Sequence, residues 1–264
     1  MSLWERELAV AVDAARAAGA VVRGWYDRAY SVRQKANDSP VTEADLEANQ
    51  CILEHVSAAF PDDGWLSEET ADAPPRLTKR RVWVVDPLDG TKEFVKGIPE
   101  FCVCIGLVED TVPVVGVSYN PASEELFAAA QGLGLTLNGL PARVSAQHDL
   151  QGARFLASRS EAARGEWEEF LDLQVDLTGS VAYKLALIAA GRGDATFSLT
   201  PKNEWDICAG TVLIAAGGGR ITDRYGQPLR FNQPDTRLPG LIASNGALYP
   251  QIVALLKQRG CMDT

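Results

Sequence analysis

Apolar residues between positions 3 and 26 (Trp4, Leu8, Val12, Ala15, Gly19, Val22 and Tyr26) recur at steps of three and four. That period predicts an amphipathic helix with one face turned to a core. A polar link over 35–40 leads to a second predicted helix over 42–59, with Leu46, Ile52, Leu53 and Val56 on its apolar side. Pro61-Asp62-Asp63-Gly64 closes it, a short strand follows at Trp65 and Leu66, and the Pro-containing stretch 71–79 reads as loop. Runs of strand character then come at 81–85, 101–108, 112–119 and 125–129. Strands in succession after two helices predict an antiparallel sheet with helices packed on one face. Beyond residue 150 the texture alternates: strand 154–157, helix 165–171, helix 181–190, strand 195–199, helix 207–216, strand 220–222. The chain therefore divides into an α+β half, 1–148, and an α/β half, 149–264.

Charge narrows the partners. The 264 residues hold 35 acidic and 25 basic side chains, a net charge of −10. Broad electrostatic binding to nucleic acid or to an anionic membrane needs a basic face, so neither is expected. The first residues lack the basic start and apolar run of a signal peptide, and no apolar stretch approaches the ~20 residues that span a bilayer. The expectation is a cytoplasmic monomer or homodimer acting on a small molecule.

Cysteine and histidine usage removes whole mechanisms. The five cysteines, an odd number without a secretory signal, point to free thiols. Cys102 and Cys104 alternate on a predicted strand and share one face. With only His55 and His148, a multi-histidine zinc site is excluded and a Ser-His-Asp triad is disfavoured. The chemistry must run on carboxylates and hydroxyls.

Its strongest carrier is Val84-Val85-Asp86-Pro87-Leu88-Asp89-Gly90-Thr91. An apolar strand ends in one aspartate and a second follows three residues later, with Gly-Thr opening a short helix. Two fixed carboxylates are hard oxygen ligands suited to Mg²⁺, and the amides of Gly90 and Thr91 can receive a phosphate oxygen. Alone, the same residues are also ordinary turn and capping elements. The spacing differs by one residue from the Asp-x-Asp-x-Thr of aspartyl-phosphate phosphatases, which disfavours a covalent route. Three more acidic places add weight. Glu68-Glu69 follows Trp65-Leu66, and Asp206 stands just before an apolar helix. Asp45 sits in Thr42-Glu-Ala-Asp45, the pattern of a capping box. The case for a metal site rests on all of them together.

In combination these residues resemble the inositol monophosphatase superfamily of Mg²⁺-dependent, lithium-sensitive phosphomonoesterases. Trp83-Val-Val-Asp86-Pro-Leu-Asp89-Gly-Thr91-Lys-Glu-Phe94 is similar to its first signature, and Trp205-Asp206-Ile-Cys-Ala-Gly210 to its second. The resemblance implies a layered αβαβα sandwich and direct attack by a metal-activated water. It implies that Glu68, Asp86 and the Leu88 carbonyl hold one Mg²⁺, and that Asp86, Asp89 and Asp206 hold a second; parts of the family hold a third near Glu68. Thr91, hydrogen-bonded to Asp45, would orient and deprotonate the water.

Lys92-Glu93 after the threonine, Leu66-Ser-Glu-Glu69 and Ser158-Arg159-Ser160 resemble the 3'(2'),5'-bisphosphate nucleotidase branch. The implied substrate is adenosine 3',5'-bisphosphate, with Ser158, Arg159, Gly179, Ser180 and Lys184 as contacts to the substrate alongside Gly90, Thr91 and Asp206. The lysine departs from that branch by one place. Tyr183 stands where the branch commonly has lysine, and a one-residue shift turns a helical side chain by ~100°, so Lys184 faces either pocket or solvent. Leu199 stands near where the inositol-specific branch often has an acid. Inositol phosphate or a sugar phosphate of the fructose-1,6-bisphosphatase kind remain alternatives, as does a non-catalytic nucleotide- or metal-binding module.

Overall fold

The computed structural model describes residues 3–26, 28, 31–34 and 40–262. Apart from Pro40, the polar link lies outside the described residues. Two helices come first, α1 (Glu5–Tyr26) and α2 (Glu43–Ala59). The helical period holds, but the contact face is built from smaller residues than its bulky positions suggest. Ala11, Ala14, Ala15, Ala18 and Val22 are buried on α1, and Ala44, Ala48, Ile52 and Val56 on α2. Leu46 is 40% exposed: it stands two residues from both Ala44 and Ala48, about 200° round the helix from each.

The main sheet has seven strands in sequence order: β1 (Gly64–Ser67), β2 (Arg81–Asp89), β3 (Cys102–Glu109), β4 (Val112–Asn120), β5 (Glu125–Ala130), β6 (Gly134–Leu137) and β7 (Leu140–Ala142). All neighbours run antiparallel except β1 and β2, which are parallel. The side-chain period of two sorts these strands into two cores. Trp83 and Val85, with Val103, Ile105 and Leu107, pack against α1 and α2. Val82 and Val84, with Cys102, Cys104 and Val108, turn the other way. The expectation of helices on one face is thereby corrected. Strands apolar on both faces need two covers, and the second is made by α5 (Val181–Ala189) and α6 (Glu204–Ala216). The seat of α6 is cut by Gly106 and Gly116, where any side chain would collide with Cys208 or Ala209.

Beneath α5 and α6 lies a five-stranded sheet. It comprises β8 (Arg154–Ala157), β9 (Gln174–Leu177), β10 (Ala195–Ser198), β11 (Arg220–Thr222) and β12 (Leu241–Ser244), ordered β9-β8-β10-β12-β11. Here β8 pairs parallel with β9 and β10, and the other pairs are antiparallel. Leu156, Leu241 and Ala243 face α5 and α6; Phe155, Phe197 and Ile242 face outward. The outer layer is α4 (Arg159–Ala163) and α7 (Tyr249–Gln258). The order is therefore αβαβα, the layering that the resemblance implied.

One predicted helix is displaced. Residues 165–171 form only a 3₁₀ turn at Glu168–Phe170, preceded by α4. Trp167 and Phe170, three residues apart, both pack on Phe197, at centroid distances of 4.3 and 4.7 Å. A three-residue repeat is the period of a 3₁₀ turn, so aromatic packing decides the local winding.

Candidate active site

The end of β2 aims the first two carboxylates. Residues three apart on a regular strand point to opposite faces. Opposite β3, however, Asp86 pairs with Cys104 and Asp89 with Cys102, and the register shifts between the two pairs. That extra residue is a bulge, and it re-aims the strand so that both aspartates reach the same end of the sheet. Gly90, at φ +98°, then turns the chain into α3 (Thr91–Val95), a conformation that favours glycine.

Asp206 arrives from the first turn of α6. That helix starts at Glu204, earlier than the sequence pattern indicates, so Asp206 lies inside it and not ahead of it. Asn203 is the cap, and its N–H donates to Asp206 Oδ2 at 3.1 Å. The early start is fixed by Glu204, which is fully buried and accepts the N–H groups of Asn232 and Gln233 at 2.6 and 2.8 Å.

Asp86, Asp89 and Asp206 each present a carboxylate oxygen, and these oxygens lie within 4.8 Å of one another. Half-buried Glu68 lines the same cleft. Burial, then Glu68, Asp89 and Asp206, push the Asp86 carboxyl well above the usual range. Burial, then Asp89 and Glu68, do the same to Asp206. Burial also raises Asp89, against hydrogen bonds from Ser180 Oγ and the Ala182 N–H, both 2.6 Å. Three carboxylates this close are poorly stable as bare anions and well suited to a hard divalent cation. The donor set fits a metal of the Mg²⁺ type.

Ser180, which donates to Asp89, caps α5 at φ +52° and ψ 118°, a strained backbone for a residue with a Cβ. Asp45 binds in two directions. Its Oδ2 accepts the N–H and hydroxyl of Thr42, both at 2.7 Å, and its Oδ1 lies 3.0 Å from Thr91 Oγ1. Burial raises the Asp45 carboxyl despite these donors. Thr91 Oγ1 is also 3.0 Å from the Leu88 carbonyl.

The remaining candidates divide. The cleft, of about 280 Å³, is lined by Leu88, Gly90, Thr91, Ser158 and Ser180. Arg159 and Gly179 do not line it. Glu100 takes both, pairing with the Arg159 guanidinium and accepting the Gly179 N–H at 2.6 Å. Lys184 faces neither the cleft nor solvent: it is 1% exposed, behind the cleft wall. Tyr183 turns to the main sheet and donates to Glu125 at 2.6 Å. His55 and His148 are both exposed.

Among the charged lining residues, sequence reasoning gave no part to Glu161, Arg164 and Lys202, and it read Lys92 and Glu93, which also line the cleft, only as a branch motif. The only signal in the chain was a lysine four places before Asp206, in Thr200-Pro201-Lys202-Asn203.

Residues 3–260 match the inositol monophosphatase family model. The chain is 37% identical over 235 residues to "Inositol monophosphatase 3" of Solanum lycopersicum, covering 84% of this chain and 87% of that one. It is 35% identical over 234 residues to "3'(2'),5'-bisphosphate nucleotidase CysQ" of Aggregatibacter actinomycetemcomitans, covering 85% and 87%. Its fold superposes on the inositol monophosphatase of Anabaena (Nostoc) sp. PCC 7120 with a TM-score of 0.84, at 31% identity and 97% coverage of each. A match that runs almost end to end, at this identity, means that the chain belongs to the inositol monophosphatase family and is a phosphoric monoester hydrolase.

Proposed function

We propose that this hydrolase uses Mg²⁺ and removes the 3'-phosphate of adenosine 3',5'-bisphosphate. The observation that carries the substrate is the charge of the cleft. Besides Glu68, Asp86, Asp89 and Asp206 it is lined by three cations, Lys92, Arg164 and Lys202, with Glu93 and Glu161 among them, in a chain of net charge −10. A cationic wall beside an acidic metal cluster suits a ligand with two anionic groups, one for each.

Glu68, Asp86 and the Leu88 carbonyl would hold one ion, and Asp86, Asp89 and Asp206 the other. When bound, the ions polarise the phosphate oxygens and lower the pKa of water. The chain supplies the rest. Thr42 fixes one oxygen of Asp45 with two donors, which leaves the other to accept the Thr91 hydroxyl. Thr91 thereby holds its own lone pairs toward the cleft, accepts the proton of the attacking water and passes its hydroxyl proton to Asp45. Burial makes Asp45 a stronger base than an exposed aspartate, which favours that transfer. Ser180 and the Ala182 amide hold Asp89 in place, so its position costs little reorganisation during the reaction.

A second reading, hydrolysis of inositol 1-phosphate, is favoured by the 37% identity to the tomato relative of that name. A kcat/KM panel with Mg²⁺ separates them, using adenosine 3',5'-bisphosphate, inositol 1-phosphate and fructose 1,6-bisphosphate. The bisphosphate nucleotide should lead by roughly tenfold or more, the scale of one charge-assisted contact. Inositol 1-phosphate in first place would transfer the assignment to the second reading.

A further inference from the structure

At one wall of the cleft three ionisable side chains from three separate segments meet, Glu161 and Lys202 lining it and Lys184 behind them. Lys202 Nζ pairs with Glu161 Oε1 at 2.8 Å, the lysine side chain 16% exposed and the glutamate 1%. Ser198 Oγ donates to the same oxygen at 2.7 Å. The third member is Lys184, 1% exposed, whose Nζ is buried with no hydrogen-bond partner. Glu161 Oε2 is likewise buried and unpartnered. Burial by itself would raise the Glu161 carboxyl; Lys184 and Lys202, with the Lys202 and Ser198 hydrogen bonds, outweigh it and hold it at about 2.

Burial lowers the Lys184 ammonium toward its neutral form, against the pull of Glu161, so what matters to a ligand is how many donors of Lys202 stay free. Only Lys202, of the two, reaches the cleft. Its pairing with Glu161 occupies one of three N–H donors, so the others are available to a ligand. The position is also fixed. Lys202 lies in a two-residue ladder, Lys202–Asn203 with Arg237–Leu238, and Glu161 is tied to β10 through Ser198. A cation held this way loses little side-chain freedom on binding.

We propose that Lys202, braced by Glu161 and backed by Lys184, receives the second anionic group of the substrate, an inference that rests on the bisphosphate reading above. Lys202 is then a binding residue that determines specificity, and Lys184 is a positioning residue that acts through Glu161. Neither touches the scissile phosphate.

The test uses two substrates that differ by one phosphate, adenosine 3',5'-bisphosphate and adenosine 3'-monophosphate, with the Mg²⁺-loaded enzyme. Wild type should favour the bisphosphate mainly through KM. In Lys202→Met the KM preference should shrink by roughly 10- to 100-fold, the scale of a charge-assisted hydrogen bond, with kcat for the bisphosphate within about twofold. Lys202→Arg, which keeps a donor and a charge, should retain most of the preference, and thermal melts of both variants verify that they are folded. Equal losses on the two substrates, or no loss on either, would overturn the assignment of Lys202 while leaving the substrate reading intact. A wild type with no preference for the bisphosphate overturns the substrate reading itself, and the Lys202 inference with it.

Discussion

Two buried charge clusters border one cleft, and they are compensated in opposite ways. The floor holds Asp86, Asp89 and Asp206, with oxygens within 4.8 Å and Glu68 beside them. The wall holds Glu161 between Lys184 and Lys202. Within the chain the floor is short of positive charge, while the wall pairs Glu161 with Lys202 and buries the Lys184 amine behind them. Burying charge without a partner is expensive; on the proposed reading a divalent cation relieves the floor, and an anion takes the free donors of Lys202 at the wall. The comparison also separates the carboxyls: those of the floor are pushed up, while Glu161 in the wall is held low.

The floor breaks first. Asp86→Asn removes the central negative charge, and kcat should fall by about a thousandfold or more, since the ligand would bridge both ions. The metal-free variant should melt higher than metal-free wild type, because one repelling carboxylate is gone. The rise in melting temperature on adding Mg²⁺ should largely vanish. A variant that keeps near-wild-type turnover and its Mg²⁺-induced stabilisation would remove Asp86 from the metal site. Next, Thr91→Ala should lower kcat by about 10²- to 10⁴-fold with little change in KM, the range for a lost proton-transfer group. Thr91→Ser should recover much of it. Loss confined to KM would make Thr91 a phosphate contact and not a proton carrier.

The same contrast explains what could be read from the chain. The floor was legible because two of its members share one strand end, in Asp86-Pro87-Leu88-Asp89, and the third opens an apolar helix. The strands and most helices followed from their periods, but the second cover of the main sheet and the winding near Trp167 did not, because contacts with distant segments decide both. The wall was not legible: residues 161, 184 and 202 are 23 and 18 positions apart, and only the five-stranded sheet and α5 bring them together. Arg159 was misleading for a related reason. It stands beside Ser158, which lines the cleft, but Glu100, 59 residues away, takes its guanidinium. Lys184 could not be placed by a 100° rotation alone, because the segment that covers it comes from another layer. Local spacing identifies groups on one element, and contacts between layers decide where the others point.

Changes in the wall should be gentler and should separate stability from binding. Lys184→Met replaces a buried, unpartnered amine, whose charged form burial disfavours, with an apolar side chain of similar length and leaves Glu161 paired with Lys202. The melting temperature should rise by a few degrees, while KM for the bisphosphate rises several-fold and kcat hardly moves. A lower melting temperature with unchanged KM would make Lys184 a structural residue only.

An effect on acid stability alone isolates Glu161. Its carboxyl is held at about 2 in the fold against an ordinary 4.5. A group with a depressed folded-state pKa stabilises the fold fully above its unfolded value, and that contribution is lost as pH falls through the folded one. Wild type should therefore lose this increment between pH 4.5 and about 2. In Glu161→Gln the increment is absent at every pH, so the variant should be less stable at neutral pH and should approach wild type toward pH 2. Chemical unfolding at a series of pH values gives the difference directly. A difference that stays constant from neutral pH down to 2 would mean that the carboxylate charge plays no part in holding Lys202, and the wall would reduce to a hydrogen-bonded contact with Ser198.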